Sequence, residues 1–96
     1  MAEKFVSIKE AIKKGKGTVS IRGWVHRERG SNKLKFITLR DSSNIIQCVF
    51  EKDNFEQKWD VLDKIQVETS IKITGTLKED KRAPSGFEIN AQEFEV

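Results

Sequence analysis

"LKFITLRDSSNIIQCVF", Leu34 to Phe50, is the stretch whose reading decides the fold. Apolar and polar residues alternate on either side of the short polar run Ser42-Ser43-Asn44. That pattern predicts two β-strands joined by a tight turn. Ile37 and Leu39 of the first strand face inward, as do Ile46, Cys48 and Phe50 of the second. On the same parity Phe36 and Gln47 point the other way, toward water. A phenylalanine and an amide side by side on a solvent face call for an explanation.

The flanking sequence supplies the remaining elements. "SIKEAIKKG" predicts a short helix: Ser7 and Glu10 fit the S-x-x-E capping box, Ile8, Ala11 and Ile12 form one apolar face, and Gly15 suits the stop. "TVSIRGWVHRER" predicts the first strand. Val19, Ile21, Gly23 and Val25 share one face, and Ser20, Arg22, Trp24 and His26 the other. Gly23 inside a strand predicts a bend of the kind a closing barrel needs. "DNFEQKWDVLDKI" breaks the alternation; Phe55, Trp59 and Leu62 make a helical stripe, with Asp53 or Asn54 as the cap and Trp59 in the core. "VETSIKITGTLKED" predicts the fourth strand, with Val67, Thr69, Ile71 and Ile73 on one face and a second bend at Gly75. "KRAPSG" is a polar loop, and "FEINAQEFEV" the fifth strand, whose parity slips between Ala91 and Phe94 and so predicts a bulge.

The order is a short helix, three strands, a helix and two strands. It matches an all-β, five-stranded Greek-key barrel of the OB type, with a helix between strands three and four and a short N-terminal helix. A meander with a decorating helix would give the same count. The 96 residues make a single domain, 1–96, with 1–16 as an N-terminal helical extension. A composition of 36% hydrophobic and 34% charged residues is that of a globular chain. No apolar run approaches the roughly 18 residues of a membrane span, and the N-terminus carries no apolar secretory segment. Cys48 is the one cysteine, which permits no internal disulfide; the expected setting is cytoplasmic.

Net charge is +3 but unevenly placed. Residues 1–41 carry eleven Lys/Arg against four Asp/Glu, and residues 42–96 carry seven against eleven. A basic N-terminal half suits a polyanionic partner, although Lys and Glu also simply solvate surfaces. "HRERGSNKLK" puts His26, Arg27, Arg29, Lys33 and Lys35 around the first hairpin turn, where they could grip phosphates or form a solvated tip. OB barrels bind oligonucleotides on the face of strands two and three. A ring there can stack on an unpaired base, and a neighbouring amide offers a donor and an acceptor to that base's edge. The competing reading for Phe36 is a small cluster with Leu34 and Val49. For catalysis the sequence is poor: His26 and Cys48 are single, no set has metal-ligand spacing, and no phosphate-binding glycine loop occurs. No catalytic or metal residue is assigned.

The run "GWVHRERGSNKLKFITLRDSSNIIQCVF" resembles the N-terminal anticodon-binding domain of the aspartyl/asparaginyl-tRNA synthetase family, class IIb. The family pattern is met at Gly23-Trp24-Val25, Arg27 and Arg29, Phe36-Ile37, Leu39-Arg40-Asp41, and Ile45 to Val49. The resemblance covers residues 18–96. It implies that Phe36 stacks on the middle anticodon base, a uridine, that Gln47 hydrogen-bonds to that base, and that Arg29 faces the anticodon loop. By position Glu88 is the candidate for a flanking base. "KEDKRAPSGFEI" leans toward the asparaginyl branch and so toward tRNA-Asn, while archaeal-type aspartyl enzymes carry a similar segment. The resemblance implies a homodimeric parent ligase whose catalytic domain, with its ATP and Mg sites, would follow. The class II catalytic motifs do not fit in 96 residues, so neither a cofactor nor aminoacylation is expected here. A piece of a longer ligase and a free-standing paralogue both suit these facts. Two other function classes stay open: a general single-strand-binding module that needs no Gln47, and a protein-interaction domain using Phe36, Leu34 and Val49 as its contact patch.

Overall fold

The computed structural model describes residues 5–31, 33–83 and 85–96. Helix α1 spans Ile8–Lys14. It is followed by strands β1 (Gly17–Gly30), β2 (Leu34–Arg40) and β3 (Ile45–Glu51). Two 3-10 turns, Lys52–Asn54 and Glu56–Lys58, lead into α2 (Trp59–Asp63), and β4 (Ser70–Glu79) and β5 (Phe87–Glu95) complete the chain. The five strands close into a barrel in the order β1-β2-β3-β5-β4, with the helical segment between β3 and β4. This is the expected OB architecture. β1 is long enough to serve two neighbours: its first half pairs with β4 and its second with β2, and Trp24 meets both Ser70 and Arg40.

The alternation marked in the sequence fills the interior. Val19, Ile21 and Val25 of β1, Ile37 and Leu39 of β2, Ile46, Cys48 and Phe50 of β3, and Ile71, Ile73 and Leu77 of β4 are buried. Phe50, Phe55 and Phe94 pack with ring centroids 5.4 to 5.7 Å apart, beside the buried Trp59 and Leu62. Burial pushes the Cys48 thiol well up, with a smaller push from Glu88, so it is a core residue and not a nucleophile.

Two glycines let neighbouring backbones approach. A Cβ on Gly23 would lie 2.2 Å from the Arg40 carbonyl oxygen, and one on Gly75 would lie 2.2 Å from that of Asn90. The expected β5 bulge is present: Thr74 pairs with Glu93 and Gly75 with Ala91, leaving Gln92 as the extra residue.

Two expectations need correction. The stripe Phe55, Trp59, Leu62 is buried, but not on one continuous helix. The backbone at Phe55, φ −134°, ψ 29°, interrupts it, and neither Asp53 nor Asn54 caps α2. Val67 and Thr69 lie outside the fourth strand. Glu68 adopts a positive φ of 74°, the turn there leaves Val67 53% exposed, and pairing starts at Ser70. A helical stripe and an alternating run both survive such local breaks, so pattern alone does not locate them.

Ser7 caps the helix as expected, with the Glu10 N–H donating to Ser7 Oγ at 3.1 Å, while the Glu10 carboxylate accepts from Ser7 Oγ at 3.1 Å and not from the Ser7 N–H of a full capping box. Asp41 ties that helix to the β2–β3 turn. Its carboxylate accepts from the N–H groups of Ile8 (2.8 Å), Ser43 (2.7 Å) and Asn44 (3.1 Å), and from Ser43 Oγ at 2.6 Å. Partial burial pushes the Asp41 carboxyl up, but these hydrogen bonds outweigh it and hold the group below its ordinary value of 3.8. A carboxyl lowered in the fold contributes stability above its unfolded value and loses it as pH falls through the folded one. Asp41→Ala is therefore expected to lose about 1–2 kcal/mol in urea denaturation at neutral pH. The difference from the parent chain should vanish as the pH is taken below that range.

Gly75→Ala places its methyl against backbone that cannot swing aside. A loss of about 2 kcal/mol or more is expected by the same measurement, as for other overpacked sites.

Candidate nucleic-acid interface

The outer face of β1, β2 and β3 is set by a feature the alternation does not show. Val25 pairs with Leu39 but Arg27 pairs with Thr38, so His26 is an extra residue, a β-bulge. Without it, Arg27 and Arg29 would share the inward parity of Ile21 and Val25. With it, they stand opposite Thr38 and Phe36 on the outer face. A signal was present in the sequence: unbroken alternation would have driven two arginines into an apolar barrel.

Two rows of side chains then cross the barrel. One runs from Arg27 through Thr38, Gln47 and Glu88 to Lys78. The other runs from Arg29 through Phe36, Val49 and Asn90 to Thr76. Phe36 and Gln47 are diagonal neighbours, separated by roughly 7–8 Å at the backbone, within reach of one base.

Phe36 is half-buried rather than bare. The Arg29 guanidinium lies 5.0 Å from the ring centroid, a cation–π contact, and the cross-strand neighbour Val49 is buried. The aromatic ring thus has a buried apolar cross-strand neighbour and an exposed guanidinium lying over it. Gln47 is also half-buried, and its Nε2 donates to Glu88 Oε2 at 2.9 Å. Glu88 is only 8% exposed, and its other oxygen lies 3.6 Å from Lys78 Nζ. Lys78 had not been singled out in the sequence, because its place depends on the β4–β5 register.

Among the other basic candidates, His26, Arg27 and Lys33 are exposed. Lys35 is a correction. It lies on the inner parity beside Ile37, is 5% exposed, and its ammonium pairs with the Glu28 carboxylate. The same bulge turns Glu28 inward to meet it. Lys35 therefore closes the hairpin end of the barrel instead of facing a phosphate.

A hollow of about 610 Å³ lies elsewhere, between the 3-10 turns and the end of β5. Asp53, Glu56, Glu93 and Glu95 outnumber Lys58 and Lys72 in its lining, which disfavours a phosphate backbone. A single-strand platform is a face and not a cavity, so the chemistry of the two rows outweighs the size of that hollow. No cluster of His, Cys, Asp or Glu among the described residues is placed to hold a metal ion. What the face can do is stack one unpaired base, offer it an oriented amide, and hold a backbone with Arg27, Arg29 and Lys33.

The comparisons with known proteins agree with this chemistry. Residues 19–96 match the tRNA anticodon family model, described as an OB-fold nucleic acid binding domain. An asparagine–tRNA ligase of Thermoplasma acidophilum is 48% identical over 79 residues, which is 81% of this chain and 18% of that ligase. The crystal structure of asparaginyl-tRNA synthetase from Pyrococcus horikoshii, complexed with asparaginyl-adenylate, superposes with a TM-score of 0.88 at 30% identity. That superposition covers 97% of this chain and 22% of the synthetase. The aspartyl-tRNA synthetase of Entamoeba histolytica gives 0.84 at 25% identity, over 98% of this chain and 21% of that one. The chain thus spans about a fifth of the length of the relatives it matches.

The placement of the cations yields a measurable distinction. Arg27→Ala and Arg29→Ala should each weaken binding to single-stranded RNA and lower the slope of log affinity against log salt by about 0.7–1. Lys35→Met should leave that slope unchanged, because its ammonium is buried against Glu28.

Proposed function

This chain belongs to the tRNA anticodon family of OB-fold nucleic acid binding domains, and from that premise we propose that it is the anticodon-reading domain of an asparaginyl-tRNA synthetase. The observation that carries the reading is the His26 bulge, which gathers Arg27, Arg29, Phe36 and Gln47 on one face. In the proposed mechanism Arg27 and Lys33 hold phosphates of the anticodon loop. Arg29 yields the Phe36 ring to the middle base and turns to the backbone, a short side-chain movement. The base stacks on Phe36, and the Gln47 amide selects uridine by donating to O4 and accepting from N3–H. The catalytic role of such a domain is positional: anchoring the anticodon fixes where the distant acceptor end arrives. ATP and Mg²⁺ chemistry is assigned to the remainder of the ligase. The asparaginyl branch is preferred over the aspartyl one on the 48% identity to an asparagine–tRNA ligase.

The test is a titration of the chain with a tRNA-Asn anticodon stem-loop and its three middle-base variants at fixed low salt. Uridine should bind best. Phe36→Ala should weaken all four by about tenfold or more, the range of one lost stacking contact. Gln47→Ala should instead flatten the preference among them. Equal binding of all four by the parent chain would sink the anticodon reading and leave a general single-strand module.

A further inference from the structure

Gln47 does not stand alone on the face, and its partner fixes more than its position. The planar amide has two orientations, related by a half-turn, that exchange oxygen and nitrogen. Its Nε2 donates to Glu88 Oε2 at 2.9 Å. Glu88 is 8% exposed, and its second oxygen is 3.6 Å from Lys78 Nζ, so both oxygens face partners. A carboxylate only accepts hydrogen bonds. The half-turn would set the amide oxygen against the carboxylate oxygen, losing a hydrogen bond and leaving two acceptors in contact at a largely buried site. Glu88 therefore permits one amide orientation, with Lys78 holding the carboxylate in place.

Orientation is what separates two pyrimidines of the same shape. Uracil presents an acceptor, O4, beside a donor, N3–H; cytosine presents a donor, the N4 amino group, beside an acceptor, N3. An amide locked one way matches one of these edges and opposes the other with donor against donor and acceptor against acceptor. A free amide would turn and accept either. The nitrogen keeps a second N–H beyond the one given to Glu88, and the amide oxygen is open to a ligand.

We propose that Glu88, held by Lys78, is a specificity-determining positioning residue that locks the Gln47 amide so that the site takes uracil and rejects cytosine. This rests on the reading that Gln47 faces the middle base. It also changes the role expected of Glu88 from its sequence position: buried, with both oxygens engaged, it acts on the base through Gln47 and not by touching a flanking base.

Glu88→Gln is the deciding substitution, because it keeps the shape and can either donate or accept. The 96-residue chain, Glu88→Gln, Gln47→Ala and the double variant are titrated with stem-loops carrying uridine or cytidine in the middle, and with loops changed at each flanking position. The parent chain should prefer uridine by on the order of tenfold or more. Glu88→Gln should bring the two pyrimidines to within about threefold, mainly by tighter binding of cytidine, since only the penalty on the turned amide is removed. It should not alter preference at the flanking positions. In the Gln47→Ala background it should have no further effect on the uridine-to-cytidine ratio, an outcome a merely structural role would not give. An unchanged ratio in Glu88→Gln, with the ratio lost in Gln47→Ala, would overturn the lock and leave Gln47 as the reader. A change at a flanking base would overturn it in favour of direct contact. Retained uridine preference in Gln47→Ala would instead remove the reading on which the lock depends. If Glu88→Gln does not fold, Lys78→Met decides, since the Lys78 side chain is 52% exposed and removable. The ratio then falls by a smaller factor, and an unchanged ratio overturns the proposal.

Discussion

One extra residue in β1 governs the candidate binding face. The bulge at His26 shifts the pairing of β1 against β2, and every side chain beyond it changes sides. Arg27 and Arg29 come to the surface, where Arg29 lies over Phe36. Glu28 turns inward and neutralises Lys35 at the open end of the barrel. Had β1 kept its alternation, two guanidinium groups would have needed partners inside an apolar core, at a desolvation cost well beyond what a 96-residue domain can absorb. The bulge therefore serves the core and the face at once: it removes charge from one and delivers it to the other.

The face carries charges in two different states. Arg27 and Lys33 are solvated, and their attraction for a polyanion is screened by salt. The Glu88 carboxylate is largely withdrawn from water and engaged on both oxygens, so it is tied to its neighbours more than to ionic strength. Solvated cations suit a partner whose sequence varies but whose backbone does not. A desolvated carboxylate suits the fixing of geometry, because turning its neighbour loses a hydrogen bond that water cannot readily replace.

Much of this was legible in the sequence, for identifiable reasons. Alternation from Leu34 to Phe50 gave β2, β3 and their facing, because one face is buried and register then admits a single solution. The parity slip between Ala91 and Phe94 announced the Gln92 bulge. The slip at His26 is marked differently: no apolar residue follows it to show the change of parity, and its one signal is that unbroken alternation would bury Arg27 and Arg29. Lys35 shares the parity of the inward-facing Ile37 and Leu39, so the alternation of β2 already implied its burial, which its charge and its place beside the turn masked. The break before α2 and the turn at Glu68 arise from single backbone conformations, which leave the apolar pattern intact. Lys78 and the engagement of Glu88 belong to strand registers that no local pattern encodes.

Barrel closure and the proposed base selection meet at one seam. β3 and β5 join through a parallel pairing of three residue pairs, Gln47–Glu88, Cys48–Ile89 and Val49–Asn90. Cys48 and Ile89 seal the core there, while Gln47 and Glu88 form the polar contact on the outer side. The seam is short, and the close approach at Gly75 brings β4 against β5 beside it. The Gln47 amide is thus aligned by the same pairing that closes the sheet. A reader mounted on a loop would be free to re-aim. One mounted where two strands are held together by the buried core behind them has its orientation fixed before any ligand arrives, which is the condition for discriminating bases of equal size.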